Sequence, residues 1–336
     1  MTRPAPRLPK SLVALSAVLG LVALAGRSMD HAAAQSYPVR PVTMIMPFAA
    51  GGPSDVIARI VADRMGVSLG QPVIVETVPS ASGLVGVARA VRAAPDGYTL
   101  SLGTWPTHVL NGALFALPYD LRTDFAPVSL LASNPMLIVS RKDFPAKDLQ
   151  DVIAWLKANP DQAMQGASGQ GSSGHVAGTF FQAATGTRYR FVFYRSNMQQ
   201  VQDLMAGRID LMFDFPSSAL PHIRAGEIKA YAVTDRERLT GAPEIPTTDE
   251  AGLPDFHLTG WHALFVPKGT PTAVIKILSA AVADALADPQ VRKRLIDLGQ
   301  EFYPPDQLGP QALAAYHKAE IEKWWPILKD AGIKIE

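Results

Sequence analysis

Short β-branched or apolar stretches recur along the chain at 42–46, 73–76, 99–103, 136–140, 191–194, 210–213, 229–233 and 258–266. Bounded by turn formers, such runs read as strands. Between them the spacing becomes helical. After Gly51-Gly52, Pro53 suits a first helical turn, Val56, Ile57, Ile60, Val61 and Met65 fall on one face, and Gly70 follows the end. Leu149, Val152, Ile153 and Leu156 repeat this spacing within 148–158, as do Ile275, Leu278, Val282 and Leu286 after Thr270-Pro271. Residues 176–184 are helical too, and 311–325 form a last helix that Pro326 ends or kinks. Strands alternating with helices predict an α/β fold with mostly parallel sheets.

The first residues follow a different pattern. Arg3, Arg7 and Lys10 precede an apolar run over 12–24, and Ala32 and Ala34 supply an A-x-A spacing. This is the layout of a secretory signal peptide processed near Ala34. The run is shorter than the ~20 residues a membrane-spanning helix needs, and no cysteine follows it to carry a lipid. Removing 1–34 takes away Arg3, Arg7, Lys10, Arg27 and Asp30, so the formal charge passes from +1 to −2. No basic cluster remains of the density nucleic acid requires. The mature length favours two domains, and with no repeat or long linker they should be closely knit.

Composition removes further classes. The chain is 48% hydrophobic and 18% charged, which suits a folded protein with sizeable cores. It has no cysteine, so disulfides, thiolate nucleophiles and cysteine-held zinc or iron–sulfur clusters are excluded. His108, His222, His257 and His262 fall in no metal-ligand spacing. No metal is expected.

Two glycine-rich turns carry candidate chemistry. The first, Pro47-Phe48-Ala49-Ala50-Gly51-Gly52-Pro53-Ser54-Asp55, leads from a strand into a helix. Unpaired amides and the helix dipole favour an anion there, although a tight turn would also account for the glycines. The second, Ser168-Gly169-Gln170-Gly171-Ser172-Ser173-Gly174-His175, offers hydroxyls and an imidazole besides its amides. Its Gly169, Gly171 and Gly174 also spell G-x-G-x-x-G, with Arg195 near the position where an NADP enzyme places an arginine. Ser172, His175 and Asp214 could be arranged as a hydrolytic triad, but G-x-S-x-G, H-E-x-x-H and P-loop motifs are absent. Tyr194 and Asp214 each end an expected strand, where open α/β sheets gather ligand groups. An exported hydrolase using Ser172 and His175 and an NADP-dependent oxidoreductase therefore stand beside a binding protein.

The ordered motifs Tyr37-Pro38, Arg40-Pro41, residues 47–55, Leu69-Gly70-Gln71-Pro72-Val73, Ala94-Pro95-Asp96-Gly97-Tyr98-Thr99-Leu100 and Leu117-Pro118-Tyr119-Asp120 resemble the Bug-type receptors of tripartite tricarboxylate transporters. The likeness continues through Asp124-Phe125-Ala126-Pro127-Val128, residues 168–175, Leu211-Met212-Phe213-Asp214, Ser218-Ala219-Leu220-Pro221-His222-Ile223, Glu250-Ala251-Gly252-Leu253-Pro254 and Val266-Pro267-Lys268-Gly269-Thr270-Pro271.

The resemblance implies a periplasmic, type II Venus-flytrap binding protein: lobe 1 from 35–130 plus 260–336, lobe 2 from 131–259, and a cleft between them. It implies a non-enzymatic, cofactor-free, monomeric receptor that takes a small carboxylate to the transporter's membrane components. The ligand set it implies is Phe48, Ala50, Gly51, Gly52 and Asp55 from the first turn and Ser168, Gly169, Gly171, Ser172 and His175 from the second. Thr104, His108, Tyr194 and Asp214 would complete the cleft. The chain departs from the family pattern at Pro79-Ser80-Ala81-Ser82-Gly83 and at Arg195-Ser196-Asn197, so Arg195 is a candidate for tuning ligand choice.

Overall fold

The computed structural model describes residues 37–330; the expected signal peptide lies outside them. One sheet contains β1 (Val42–Met46), β2 (Val73–Thr77), β3 (Thr99–Thr104), β4 (Phe125–Pro135) and β10 (Thr259–Pro267), in the order β2-β1-β3-β10-β4. The other contains β5 (Leu137–Arg141), β6 (Met164–Ala167), β7 (Arg190–Phe193), β8 (Leu211–Asp214) and β9 (Ile228–Val233), in the order β7-β6-β8-β5-β9. These are two lobes, each built on a mixed sheet. Parallel pairing joins β1 to β2 and β3, and β6 to β7 and β8. The remaining pairs, made by β10 and β5, are antiparallel.

In the first lobe α1 (Pro53–Leu69) and α8 (Thr272–Ala287) cover one face of the sheet. Ile57, Ile60, Val61 and Met65 meet Met44, Leu100, Leu264, Leu278 and Val282 there. The predicted stripe on α1 is thus the buried one, and Gly70 closes the helix at φ 67°, a left-handed backbone that suits glycine. The other face carries Ile45, Trp105 and Phe265 against Leu313, Ile321 and Trp324 of α10 (Pro310–Asp330). Pro326 does not end α10. Trp324 and Leu328 on either side of it are fully packed, and their burial outweighs the ~3 kcal/mol that an interior proline costs.

The eleven-residue strand β4 is a finding that the pattern did not predict. Pro127, Ser129, Ser133 and Pro135 obscure its apolar signal. The strand tolerates its prolines because it lies at a sheet edge, where a missing N–H need not cost a ladder bond. It runs to Pro135, and β5 of the second sheet begins two residues later. The chain returns through β10.

Register fixes where the cleft lies. His262, near the start of β10, pairs with Thr104, the last residue of β3. Leu137, the first residue of β5, pairs with Asp214, the last of β8. In both lobes, therefore, the carboxyl ends of the parallel strands open toward the interlobe crossing. A third segment joins there: Ser133 and Glu301 exchange backbone hydrogen bonds at 2.8 and 3.1 Å. The Glu301 carboxylate then accepts from Thr240 N at 2.6 Å and Thr240 Oγ1 at 2.7 Å, beyond β9.

Candidate functional site

The first turn lies at the carboxyl end of β1. Gly51 adopts φ 81°, which only glycine takes easily, and Gly52 caps α1 without a side-chain acceptor. Gly51 N–H donates to Asp55 Oδ2 at 2.9 Å, and Arg59 pairs with the same carboxylate at 2.9 Å. Burial would raise the Asp55 carboxyl, but hydrogen bonds from Arg59 and Gly51 outweigh it and hold the group below its usual range. Asp55 is 5% exposed and acts inside the turn as its brace. Phe48 is half-buried, its N–H directed at Met46 Sδ, while Ala50 is exposed.

The loop after β3 differs from expectation. Thr104 is buried and tied to Thr107 by its N–H and hydroxyl, both at 3.0 Å. A π-helical turn, Pro106–Leu110, follows and buries Thr107 through Leu110 in succession. His108 is completely buried in the core, its ring stacked on Phe265 at 4.5 Å with Phe125 at 4.9 Å. Burial, and secondarily His317, lowers its basicity well below the imidazole range. The wide π turn directs the ring into the apolar face and away from the cleft. His108, expected to line the cleft, is placed here in the core with no exposed surface.

The second turn follows β6. Gly169 at φ 103° and Gly171 at φ 73° need glycine's freedom. Ser172 caps α5 (Ser173–Thr185), its Oγ accepting from His175 N. Gly171 N–H donates to His175 Nδ1 at 3.0 Å. A ring nitrogen that accepts carries no proton, so neutral His175 is an Nε2–H donor. Burial lowers its pKa and favours this neutral form. Phe191 and Phe193 meet the ring edge to face at 4.7 and 5.1 Å.

A polar network that sequence spacing did not disclose links the neighbouring loops. Gln200 of α6 (Asn197–Met205) donates to Ser168 Oγ. Asn197 Nδ2 donates to Asp214 Oδ1 at 3.1 Å and to Ser218 Oγ at 2.6 Å. Asp214 is 3% exposed and Oδ2 has no partner among the described residues. Burial raises its carboxyl to about 6, against the opposing hydrogen bonds from Ser218, Phe215 and Asn197. Tyr194 turns its hydroxyl to Asp203 on α6 at 2.9 Å. Arg195 is exposed and forms no ion pair among the described residues.

The hydrolytic triad is not assembled. Ser172 Oγ is engaged with a backbone amide, His175 Nδ1 with another, and Asp214 with Asn197 and Phe215. The Gly169/Gly171/Gly174 turn does connect two parallel neighbours, β6 and β7, with Arg195 beyond. Geometry alone leaves that turn open to any anion. A groove of about 640 Å³ lined by Ile45, Glu76, Val85, Arg89 and Arg92 shares no residue with either turn.

Comparison with known proteins narrows the choice. The tripartite tricarboxylate transporter family receptor model matches residues 57–333. An Agrobacterium vitis relative, the UPF0065 protein in the TAR-I ttuE-ttuC' intergenic region, is 41% identical over 305 residues, covering 89% of this chain and 87% of its own. MatC from Rhodopseudomonas palustris, solved with bound malate, is 38% identical with TM-score 0.79, covering 87% of this chain and 100% of that one. An R. palustris protein solved with adipate is 32% identical with TM-score 0.82, covering 89% of this chain and 99% of its own.

Proposed function

The chain belongs to the tripartite tricarboxylate transporter receptor family, and from that premise we propose that it captures a small organic acid between its lobes and passes it to the transporter's membrane components. The observation that supports this reading is the paired placement of two glycine turns, each ending a parallel strand beside the crossing. One offers first-turn amides of α1. The other offers amides of a turn held by Gly169 and Gly171 and the Nε2–H of His175. Such donors recognise a carboxylate oxygen without committing to the rest of the ligand. Malate and adipate, the acids bound in the two solved relatives, set the scale of the ligand proposed here.

In this reading the protein is exported by residues 1–34, acts as a monomer in the periplasm, needs no cofactor and performs no reaction. Phe48, Ala50, Gly51, Gly52, Ser168, Gly169, Gly171, Ser172 and His175 form the two carboxylate turns. Asp55 braces the first, Thr104 holds the loop beside it, and Tyr194 and Asp214 shape the second wall. Arg195, unpaired at the end of that wall, selects for a second carboxylate. Closure excludes water and strengthens each amide-to-carboxylate bond.

Thermal unfolding against mono-, di-, tri- and aromatic carboxylates, with NADPH included, tests the proposal. A ligand at 1,000 times its Kd stabilises by about 4 kcal/mol, or roughly 8 °C for a chain of this size. One carboxylate standing out on that scale is the expected result; a shift with NADPH alone would overturn it.

A further inference from the structure

The crossing strand carries an imidazole that reaches the first ligand turn. By strand alternation His262 shares the face of Leu264 and Val266, which pack in the α1 and α8 layer. Its Nε2 stands 2.9 Å from Ser54 Oγ, in the first turn of α1 and 208 positions away in sequence. The other ring nitrogen, Nδ1, is buried and has no partner among the described residues. Burial lowers the His262 pKa to about 4, so the ring is neutral near pH 7 and holds one proton.

That proton has two places to go. If Ser54 donated to Nε2, the ring would keep its proton on Nδ1, as a buried N–H with nothing to receive it. If Nε2–H donates to Ser54, Nδ1 is left as a bare lone pair. Buried N–H groups without an acceptor are rarer and costlier than under-used acceptors, which selects the second arrangement. Ser54 Oγ then spends a lone pair on the imidazole and keeps its own hydrogen. Among the described residues Ser54 Oγ meets no other hydrogen-bond partner, and the residue is only half-buried at the mouth of the turn.

We infer that His262 is a positioning residue whose Nε2–H holds Ser54 Oγ, turning the Ser54 hydroxyl hydrogen outward as a side-chain donor for the carboxylate at the first turn. This rests on the proposed carboxylate-binding role of that turn. It adds a directional donor to amides that recognise any anion, and it ties that donor to β10, one of the two strands crossing between the lobes.

Long-range ¹H–¹⁵N correlation of the imidazoles, with the His262 signals identified by their loss in H262Q, reads the tautomer without any ligand. The expected pattern at pH 7 is Nε2–H; an Nδ1–H pattern overturns the inference. Calorimetric titration with malate and adipate reads the donor. Ser54→Ala should weaken the better of the two by about tenfold or more, the effect of losing a hydrogen bond to a charged group, and, because it strips the buried His262 N–H of its acceptor, should also lower the unfolding temperature of the unliganded protein. His262→Phe should match that loss, and His262→Gln, which retains an N–H, should recover most of it. Unchanged affinity in Ser54→Ala refutes the donor role. Failure of every carboxylate to bind the parent protein would instead refute the proposed function, with the tautomer still deciding the His262 assignment.

Discussion

Phe180 of the second lobe meets Trp324 of α10 edge to face, ring centroid to ring centroid 6.0 Å. Trp324 also meets Trp105 of the first lobe at 5.0 Å, so one indole touches both lobes. Any rotation of one lobe on the other has to change that contact. Saturating carboxylate should therefore shift tryptophan emission, and Trp324→Phe should remove most of the shift while the acid still binds. Emission unchanged by a ligand that calorimetry shows to bind would argue against lobe motion. Trp324→Ala should cost about 3–5 kcal/mol by denaturant unfolding, as expected for an aromatic removed from a core.

Asp214 gives a prediction in pH. Its folded pKa, raised by burial to about 6, lies above the 3.8 ordinary for an aspartate. The buried charge is therefore a cost carried in full above pH 6 and relieved as pH falls through 6 toward 4. Asn197, Ser218 and the Phe215 amide face the carboxylate, and the smaller effect of the neighbouring His222 lowers its pKa. Asp214→Asn should stabilise the protein relative to the parent most at pH 7–8, with the difference shrinking toward pH 5. A difference independent of pH would show that Asp214 titrates normally.

The buried imidazoles act in the other direction. Burial lowers His108, His262 and His317 below the ordinary 6.5, so each favours the neutral form in the folded state. The stability this supplies is whole above pH 6.5 and is lost as pH falls through the lowered values. Thermal unfolding should drop between pH 6.5 and 4, and His317→Gln, which retains an N–H for the His108 carbonyl now 2.7 Å from Nε2, should lessen the drop. An equal drop in parent and variant would remove His317 from the account.

Arg195 is tested by ligand choice. Arg195→Ala should weaken dicarboxylate binding about tenfold or more while leaving a monocarboxylate of the same chain length nearly unchanged. Equal losses on both ligands would place Arg195 outside ligand selection.

Local pattern carried much of the fold because local pattern is what strands and helices obey. The stripe of α1 and the strand-to-helix turns at Gly51 and Gly169 were legible residue by residue. Strand β4 was not, since its prolines and serines make sense only at the edge where the sheet places it. The candidate site divides in the same way. Backbone donors announced themselves through glycine, whereas the Asn197–Asp214 and Ser54–His262 contacts join distant segments that no spacing rule connects. The burial of His108 was illegible for a third reason: one π turn decides which way the residue faces.

β10 lies between β3 and β4, yet it is the last strand of its sheet in the chain. As the chain lengthens during synthesis, the five strands of the second sheet are all available by residue 233, while the first sheet still lacks a strand between β3 and β4. Nascent chains stalled after residue 258 should accordingly protect β5–β9 from protease and leave β3 and β4 open. The lobe begun first is the lobe completed last, and for the interval between it carries two unpaired strand edges that a chaperone has reason to shield.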